Sequence, residues 1–410
     1  MRRGWETVTF LEAPLQIVDG DRGKNYPKQT DFSEEGHCVF LNTGNVTDSG
    51  FNFSSVQFID EAKDDALRKG KLTRDDVVMT TRGTIGNVAH YNENIPFDHL
   101  RINSGMVIFR CDRNRLSPLF LYHYLRSPAF EGQTNSLRSG AAQPQLPIRD
   151  IKQIKLPLPS FAEQLRVADV VTVYDDLIEN NRRRMALLED AARQLYREWF
   201  VRLRFPGHEH TPITNGVPDG WDRKSVEQLT CFLNRGIAPH YDDDVEGLVI
   251  NQKCIRGGRL DLSLARHQSR EFKPERQVQS GDVLVNSTGE GTLGRVAQVL
   301  APIDNCTVDT HVTIARPAPG VGIHYFGQAL MAWEPRFSTM GRGATNQTEL
   351  SRSQIGDVQI LVPQRLLMQQ FEEVAVPSFR QVWILMEQNE KLRAARDLLL
   401  PRLMSGDIAV

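Results

Sequence analysis

Arginine, amide and hydroxyl side chains recur beside glycine in two loop-like stretches of each half of the chain. The first stretch covers residues 80–87, with a counterpart at 286–295, and the second covers 136–145, with a counterpart at 340–348. Arginine can read guanine edges, asparagine and glutamine can read adenine, and hydroxyl groups can hold phosphates. We therefore predict DNA contacts from Arg82, Thr84, Asn87, Arg138, Gln143, Gln145, Thr292, Arg295, Arg342, Asn346 and Gln347.

The same stretches also have a structural interpretation, because glycine commonly marks a tight turn between strands. That interpretation suits the glycines best, whereas for the arginines both interpretations stay open. Charge favours nucleic-acid contact only in the first half. Residues 82–155 hold ten Lys and Arg against five Asp and Glu, but residues 289–363 hold five against six.

One pattern imitates a nucleotide-binding loop. Residues 289–294 satisfy GxGxxG, but a dinucleotide site requires a helix directly after the loop. Here residues 295–300, with Pro302 beyond them, indicate a strand. The sequence therefore predicts a glycine hairpin.

Other short patterns imitate catalytic or metal sites. Residues 94–97 are similar to an amino-methyltransferase loop without its first proline, and residues 60–63 to the end of a nuclease metal site without its leading Pro-Asp pair. His208, His210 and His240 could bind metal in principle, but they lie in loop-like sequence without a partner cluster. We predict no catalytic, cofactor-binding or metal-binding residue in this chain.

Length and composition indicate a globular protein with more than one core. The chain has 410 residues, 40% hydrophobic and 24% charged, with a net charge of −2. It has no run of ~18 apolar residues, so no membrane span is predicted. The five scattered cysteines and the lack of an apolar segment behind Met1-Arg2-Arg3 favour reduced thiols and a cytoplasmic location.

The two halves of the chain form a tandem repeat. Asp76-Val77-Val78-Met79 matches Asp282-Val283-Leu284-Val285, and residues 154–159 match 358–363. Six such matches occur in the same order at an offset of about 203 to 216 residues. Each half is predicted to be a mainly-β globule of ~150 residues followed by a long helix.

A long helix is predicted between the two globules. From Val167 to Trp199 a 3.5-residue period of mostly apolar positions indicates a coiled-coil seam, and a similar stretch closes the chain after Met368. Connectivity favours an antiparallel helix pair with a pseudo-twofold repeat, although Pro377 is expected to break or kink the second helix. The residues assigned to the spacer and subunit interface are Ile178, Asn181, Met185, Leu188, Leu195, Trp199 and Asn389.

With these features together, the sequence resembles a type I restriction–modification specificity subunit over essentially its whole length. The resemblance rests on Leu156-Pro157-Leu158-Pro159 leading through Ala162-Glu163-Gln164 into the first helix, and on residues 82–86 and 140–145. The second copy departs from the pattern at residues 367–370, which lack the glutamate, and at Pro377.

The resemblance implies an α+β fold in which two mainly-β target-recognition globules are separated by a long antiparallel coiled-coil helix pair. The recognition domains would be residues 1–159 and 206–363, and the spacer helices 160–205 and 364–410. The chain would be non-catalytic and would bind double-stranded DNA at a bipartite, asymmetric target.

The resemblance also implies partner subunits. Two modification subunits would supply S-adenosylmethionine-dependent adenine methylation, and restriction subunits would supply ATP- and Mg-dependent translocation and cleavage. The rival interpretations are a self-sufficient DNA methyltransferase or nuclease, which the missing catalytic motifs disfavour, and a coiled-coil scaffold, which leaves the polar loops unexplained.

Overall fold

The computed structural model describes residues 5–137, 145–341, 348–408 and 410. The chain divides into two compact units. The first comprises Met1–Glu179 with Asn389–Val410, and the second comprises Asn180–Gln388. Each unit contains a sheet-rich globule and parts of two long helices, which confirms the α+β class.

The first globule consists mainly of short strands. Its strands are β1 (Glu6–Thr9), β2 (Leu15–Asp19), β3 (Cys38–Leu41), β4 (Val46–Thr47), β5 (Gly50–Phe51), β6 (Phe58–Ile59), β7 (Val77–Thr80), β8 (Val88–His90), β9 (Leu100–Ile102), β10 (Met106–Cys111) and β11 (Lys155–Leu158). Its helices are α1 (Glu61–Ala66), α2 (Pro118–Leu125), α3 (Pro128–Leu137) and α4 (Ile148–Ile151), and the long helix α5 (Phe161–Tyr196) follows.

The second globule has the same kind of composition. Its strands are β12 (Ile213–Thr214), β13 (Val217–Pro218), β14 (Asp222–Ser225), β15 (Thr230–Arg235), β16 (Leu248–Ile250), β17 (Ile255–Arg256), β18 (Arg259–Leu260), β19 (Arg266–His267), β20 (Val283–Asn286), β21 (Val296–Gln298), β22 (Cys306–Val308), β23 (Val312–Pro317) and β24 (Gln359–Val362). Its helices are α6 (Val226–Leu229), α7 (Ile323–Met340) and α8 (Arg352–Gly356), and the long helix α9 (Arg365–Met404) follows.

Both globules have the same strand order. The antiparallel sheet β2-β10-β7-β8 corresponds to β15-β23-β20-β21, and the mixed sheet β6-β3-β9 corresponds to β19-β16-β22. The parallel pair β3 and β9 has its equivalent in β16 and β22. In each globule an early strand pairs with the strand that precedes the long helix, β1 with β11 and β14 with β24. The predicted tandem repeat is confirmed.

Apolar side chains on both faces explain why β7 and β20 lie centrally. Val77–Thr80 and Val283–Asn286 are buried at every position. In the first unit the core extends from Phe109 and Phe120 to Val167 on α5 and Leu403 on α9, so the ends of both long helices seal the globule. This burial, rather than intrinsic helix propensity, anchors the helix ends.

The short helices were predicted in part. Ser117 caps α2 by accepting a hydrogen bond from the Phe120 backbone amide, and Pro118 occupies the first turn, as expected. Residues 327–333 also predict a short helix from their sequence, and the observed helix is longer and spans Ile323–Met340. Helix α3 was not predicted, because Gly132 and its polar neighbours give it little apolar periodicity.

Helix α5 buries most of the predicted seam. Val167, Val171, Ile178, Asn181 and Met185 are buried, and the partly buried seam positions are Tyr174, Leu188, Leu195 and Trp199. Near its end the buried face moves by one residue to Tyr196 and Phe200, and the helix finishes in a π-helical turn at Arg197–Val201. A straight helix has 3.6 residues per turn, so its buried face drifts away from a 3.5-residue seam.

The two long helices pair in antiparallel fashion within each unit. In the first unit Asn389 Nδ2 donates to the Ile178 carbonyl at 3.4 Å, and Arg396 Nη1 lies 2.7 Å from Asp175 Oδ1. In the second unit Met185 packs with Val382 and Leu385. The predicted antiparallel pairing is confirmed in both units.

Of the predicted break or kink at Pro377, the break was wrong, because α9 is continuous from Arg365 to Met404, and the kink stays a prediction. A proline inside a helix costs ~3 kcal/mol through a lost hydrogen bond and a steric clash. The buried side chains of Phe371, Ala375, Phe379 and Val382 surround this position, and their packing offsets that cost.

Within the described ranges, no helix combines the length and the apolar character needed to cross a membrane.

Candidate nucleic-acid interface

The GxGxxG stretch is a glycine hairpin, as predicted. It connects antiparallel β20 and β21, and the Gly294 amide closes it by donating to the Asn286 carbonyl at 2.8 Å. Gly289, Gly291 and Gly294 all have positive φ angles, which L side chains rarely adopt. A strand follows instead of a helix, so the turn does not present the helix N-terminus that a pyrophosphate needs.

The equivalent hairpin in the first globule connects β7 and β8. The Gly86 amide donates to the Thr80 carbonyl at 3.0 Å, which corresponds to the closing hydrogen bond of the second globule. Gly83 and Gly86 also have positive φ angles. We call residues 81–87 and 287–295 the hairpin loops.

The end of the second polar stretch returns to the hairpin loop in both globules. The Leu146 amide donates to the Thr81 carbonyl at 3.0 Å, and the Leu350 amide donates to the Ser287 carbonyl at 2.9 Å. In the first globule Arg82 and Gln145 also form an isolated β-bridge. The fold therefore brings together polar residues that lie more than sixty positions apart in sequence.

The predicted DNA contacts fall into three groups. Arg82, Thr84 and Gln145 are exposed beside one another on the first globule, and their role in DNA binding stays a prediction. Five other candidates lie outside the described residues, namely Arg138, Gln143, Arg342, Asn346 and Gln347. The third group consists of Asn87, Thr292 and Arg295.

In this third group the side chains hydrogen-bond to backbone carbonyls of their own globule. Asn87 Nδ2 donates to the Val46 carbonyl at 2.9 Å, and Arg295 Nη2 donates to the Gly291 carbonyl at 2.7 Å. Thr292 Oγ1 donates to the Thr288 carbonyl at 3.4 Å. These contacts favour the structural interpretation at the three positions, since each side chain already satisfies a carbonyl of its own globule.

At the end of each central strand, β7 and β20, opposite the hairpin loop, lies an ion pair that the sequence analysis missed. Arg110 forms two hydrogen bonds with Asp76, at 3.0 and 2.7 Å, and Arg316 forms two with Asp282, at 2.7 and 2.8 Å. These hydrogen bonds raise the pKa of both guanidinium groups. The available signal was the repeat itself, because both aspartates lead matched strands.

A second ionic cluster fixes the first globule to its helices. Asp175 on α5 contacts Arg126 at 2.6 Å and Arg396 on α9 at 2.7 Å. Burial alone would raise the pKa of Asp175, but the two guanidinium groups hold it below its usual value. Burial also lowers the pKa of the adjacent His123 to about 3, so this imidazole is neutral near pH 7.

The other chemistry-like patterns have structural explanations. Asp60 caps α1 by accepting a hydrogen bond from the Lys63 amide at 2.7 Å, which accounts for the nuclease-like stretch. Asn94 belongs to a turn in which its amide donates to Asn92 Oδ1 at 3.0 Å. Across the part of the chain that the structure describes, no group of three or more potential ligands could hold a metal ion.

Two sheet-rich globules of one strand order, each with converging polar loops, define a protein with two similar recognition domains. Residues 5–190 match the family model of the type I restriction modification DNA specificity domain. The chain is 23% identical over 351 residues to the type I restriction enzyme MjaIX specificity subunit of Methanocaldococcus jannaschii, covering 82% of this chain and 78% of the relative.

Two further comparisons extend over nearly the whole chain. The HindI specificity subunit of Haemophilus influenzae is 21% identical over 465 residues, covering 95% of this chain and 98% of the relative. The crystal structure of a type I restriction–modification S subunit from M. genitalium superposes with a TM-score of 0.59 at 12% identity, covering 98% of this chain and 97% of that one. Residues 5–190 match the specificity domain of this family, and the chain is similar over most of its length to type I restriction enzyme specificity subunits, which confirms the resemblance.

Proposed function

We propose that this chain is the DNA-recognition subunit of a type I restriction–modification complex, and that each globule binds one half of a bipartite, asymmetric target. The proposal rests on one observation: the two globules have the same strand order but carry different side chains in their loops. Equivalent frameworks place equivalent loops at each half-site, whereas different side chains select different bases. Residues 1–159 and 206–363 would be the recognition domains.

The chain would act without chemistry of its own. Specificity subunits are non-catalytic, and the activity of their complexes resides in partner subunits. We expect two modification subunits to supply S-adenosylmethionine-dependent adenine methylation. Restriction subunits would supply ATP- and Mg-dependent translocation and cleavage.

The outer helix faces are the best candidates for binding the modification subunits. The seam residues Ile178, Met185 and Asn389 are buried within their own units, so they serve the helix pair rather than a partner. Each unit also exposes large apolar side chains near the start of its long helix, namely Leu165, Val173 and Leu177 on α5 and Leu366, Val374 and Val376 on α9. Exposed apolar side chains grouped on one helix commonly mark a protein interface.

The spacer function of residues 160–205 and 364–410 can be tested by changing their length. Removing one heptad from the middle of both α5 and α9 preserves the seam and shortens the helices by ~10 Å. That length corresponds to ~3 base pairs. We expect methylation-site mapping of the assembled complex to show the same two half-sites with a shorter spacer.

Two results would contradict this proposal. An unchanged DNA spacer in the shortened complex would show that the helices do not set the distance between the two half-sites. Methyl transfer from labelled S-adenosylmethionine to DNA by the purified chain alone would favour the rival interpretation of a self-sufficient methyltransferase.

A further inference from the structure

A short turn before β10 and β23 has the same geometry in both globules. The Gly105 amide donates to Asn103 Oδ1 at 2.8 Å, and the His311 amide donates to Asp309 Oδ1 at 2.8 Å. The two positions are equivalent in the repeat, because each stands directly before the strand that pairs with β7 or β20. We call residues 103–105 and 309–311 the Asx turns.

Each Asx turn hydrogen-bonds to the first residue of the hairpin loop, where the end of the second polar stretch is also bound. The Thr81 amide donates to the Gly105 carbonyl at 2.8 Å, and the Ser287 amide donates to the His311 carbonyl at 2.8 Å. The carbonyls of Thr81 and Ser287 also accept hydrogen bonds from the Leu146 and Leu350 amides, which lie just after the second polar stretch. Three chain segments therefore converge on one residue in each globule.

The Asx turns differ in what they present at this junction. Gly105 is buried, and a Cβ atom there would lie 2.9 Å from Thr43 Cγ2, so a side chain at this position would require Thr43 to shift. His311 occupies the equivalent position in the second globule with its side chain exposed. A shared backbone framework thus carries a side chain in only one of the two globules.

The His311 ring is oriented by the neighbouring hairpin loop. Thr288 Oγ1 lies 2.6 Å from His311 Nδ1, and among the described residues none hydrogen-bonds to Nε2. When the threonine hydroxyl donates to Nδ1, the proton of the neutral imidazole resides on Nε2. Nε2 is then a donor held ready for an acceptor atom outside the chain.

We propose that His311 contacts DNA in the second half-site and donates a hydrogen bond from Nε2 to a purine N7 or a phosphate oxygen, with Thr288 as its positioning residue. This inference rests on the proposed function. It adds a third segment to each recognition surface and gives the second globule a contact that the first cannot make.

The test uses the full chain assembled with its modification subunits and a duplex containing the target mapped from methylated adenines of the source genome. We expect His311→Ala to weaken binding about tenfold, a change typical for the loss of one specific DNA contact. If Nε2 contacts a base, scrambling the second half-site should weaken binding of the variant less than that of the unmodified complex. The matched control is His267→Ala, an exposed histidine on β19, which should bind as the unmodified complex does.

Two companion variants separate positioning from folding. Thr288→Val retains the imidazole without its hydroxyl partner, so a smaller loss confined to the second half-site is expected. His311→Gln retains a hydrogen-bonding group and should recover part of the affinity lost in His311→Ala. A thermal unfolding midpoint within about a degree of the unmodified chain would show that the variants fold.

Duplexes with 7-deazapurines distinguish the two acceptors. If N7 is the acceptor, one such substitution weakens binding by the unmodified complex but not by His311→Ala. If phosphate is the acceptor, His311→Ala weakens binding to all second half-site sequences alike, and a 7-deazapurine substitution affects both proteins equally.

Unchanged binding by His311→Ala, or equal weakening at both half-sites, would overturn the inference. Each half-site is scrambled separately, so a failure of the His311 inference can be distinguished from a failure of the proposed function. The latter would appear as insensitivity of the unmodified complex to both scrambled half-sites.

Discussion

The backbone amide of Ser117 donates a hydrogen bond to Gln164 Oε1 at 2.9 Å, which links the cap of α2 to the first turn of α5. Gln164 Nε2 also donates to the carbonyls of Arg115 and Pro159, at 3.1 and 3.0 Å. In the second globule the Gly322 amide donates to Met368 Sδ at 3.0 Å. The same docking position therefore uses an amide in one copy and a thioether in the other.

Gln164→Ala should lower the free energy of unfolding by about 2–4 kcal/mol, because the buried Ser117 amide and Pro159 carbonyl and the part-buried Arg115 carbonyl lose their partner. Denaturant unfolding of the purified chain measures the change. Gln194→Ala is the matched control, since Gln194 is exposed on the same helix and its side chain donates a surface hydrogen bond to Asp190 at 2.6 Å. Similar losses in both variants would argue against a special role for the buried glutamine.

Gly294→Ala should be much more destabilising than Gly291→Ala. Both glycines have positive φ angles, at 79° and 69°, so each substitution carries a backbone cost of about 1 kcal/mol. Only at Gly294 would the new Cβ lie 2.5 Å from the Ser338 amide nitrogen of α7, whereas at Gly291 nothing lies within 4 Å. Gly294→Ala should therefore have the lower thermal unfolding midpoint. Equal midpoints would show that α7 moves away from the new Cβ atom without a loss of stability.

Arg82→Ala and Arg295→Ala should affect different properties. Arg82 is exposed, so its loss is expected to weaken DNA binding by about 5- to 100-fold at the first half-site, with little change in stability. Arg295 holds the Gly291 and Ile255 carbonyls, so its loss should lower the free energy of unfolding by about 1–2 kcal/mol. Binding to duplexes with one scrambled half-site, together with denaturant unfolding, resolves the two effects. A first-half binding defect in Arg295→Ala with unchanged stability would reverse these assignments.

His324 should make the folded chain less stable in mild acid. Its ring stacks on Phe379 with centroids 4.6 Å apart, and burial lowers its pKa from 6.5 to about 4. Between these values the unfolded chain binds a proton at this position that the folded chain does not. Stability is therefore fully present above pH 6.5 and declines as the pH falls toward 4, by up to ~1.4 kcal/mol per pH unit.

The corresponding test compares unfolding free energies at several pH values between 7 and 4.5. His324→Gln should show a flatter dependence than the unmodified chain, because the titrating group is absent from both states. His240→Gln, at an exposed loop position, should retain the original slope. Parallel curves for all three proteins would mean that His324 is not excluded from protonation in the fold.

Residue order and periodicity alone determined much of the architecture. The repeat, the central strands around Val77 and Val283, the glycine hairpin and the helix seam are all visible in them. Such features depend on nearest neighbours along the chain, since a strand or a helix buries residues at a fixed spacing. The tandem repeat also indicates that both halves of the chain adopt the same fold.

Tertiary structure decided which polar side chains are available for recognition. Asn87 and Arg295 stand at sites predicted for DNA contact, yet they bind the carbonyls of Val46 on β4 and Ile255 on β17. The convergence of Thr81, Gly105 and Leu146, and the exposure of His311, likewise required distant segments to meet. Pro377 is tolerated for a similar reason, because burial of its neighbours offsets a local cost. Hydrogen bonds and packing between segments far apart in sequence leave no local periodic signal.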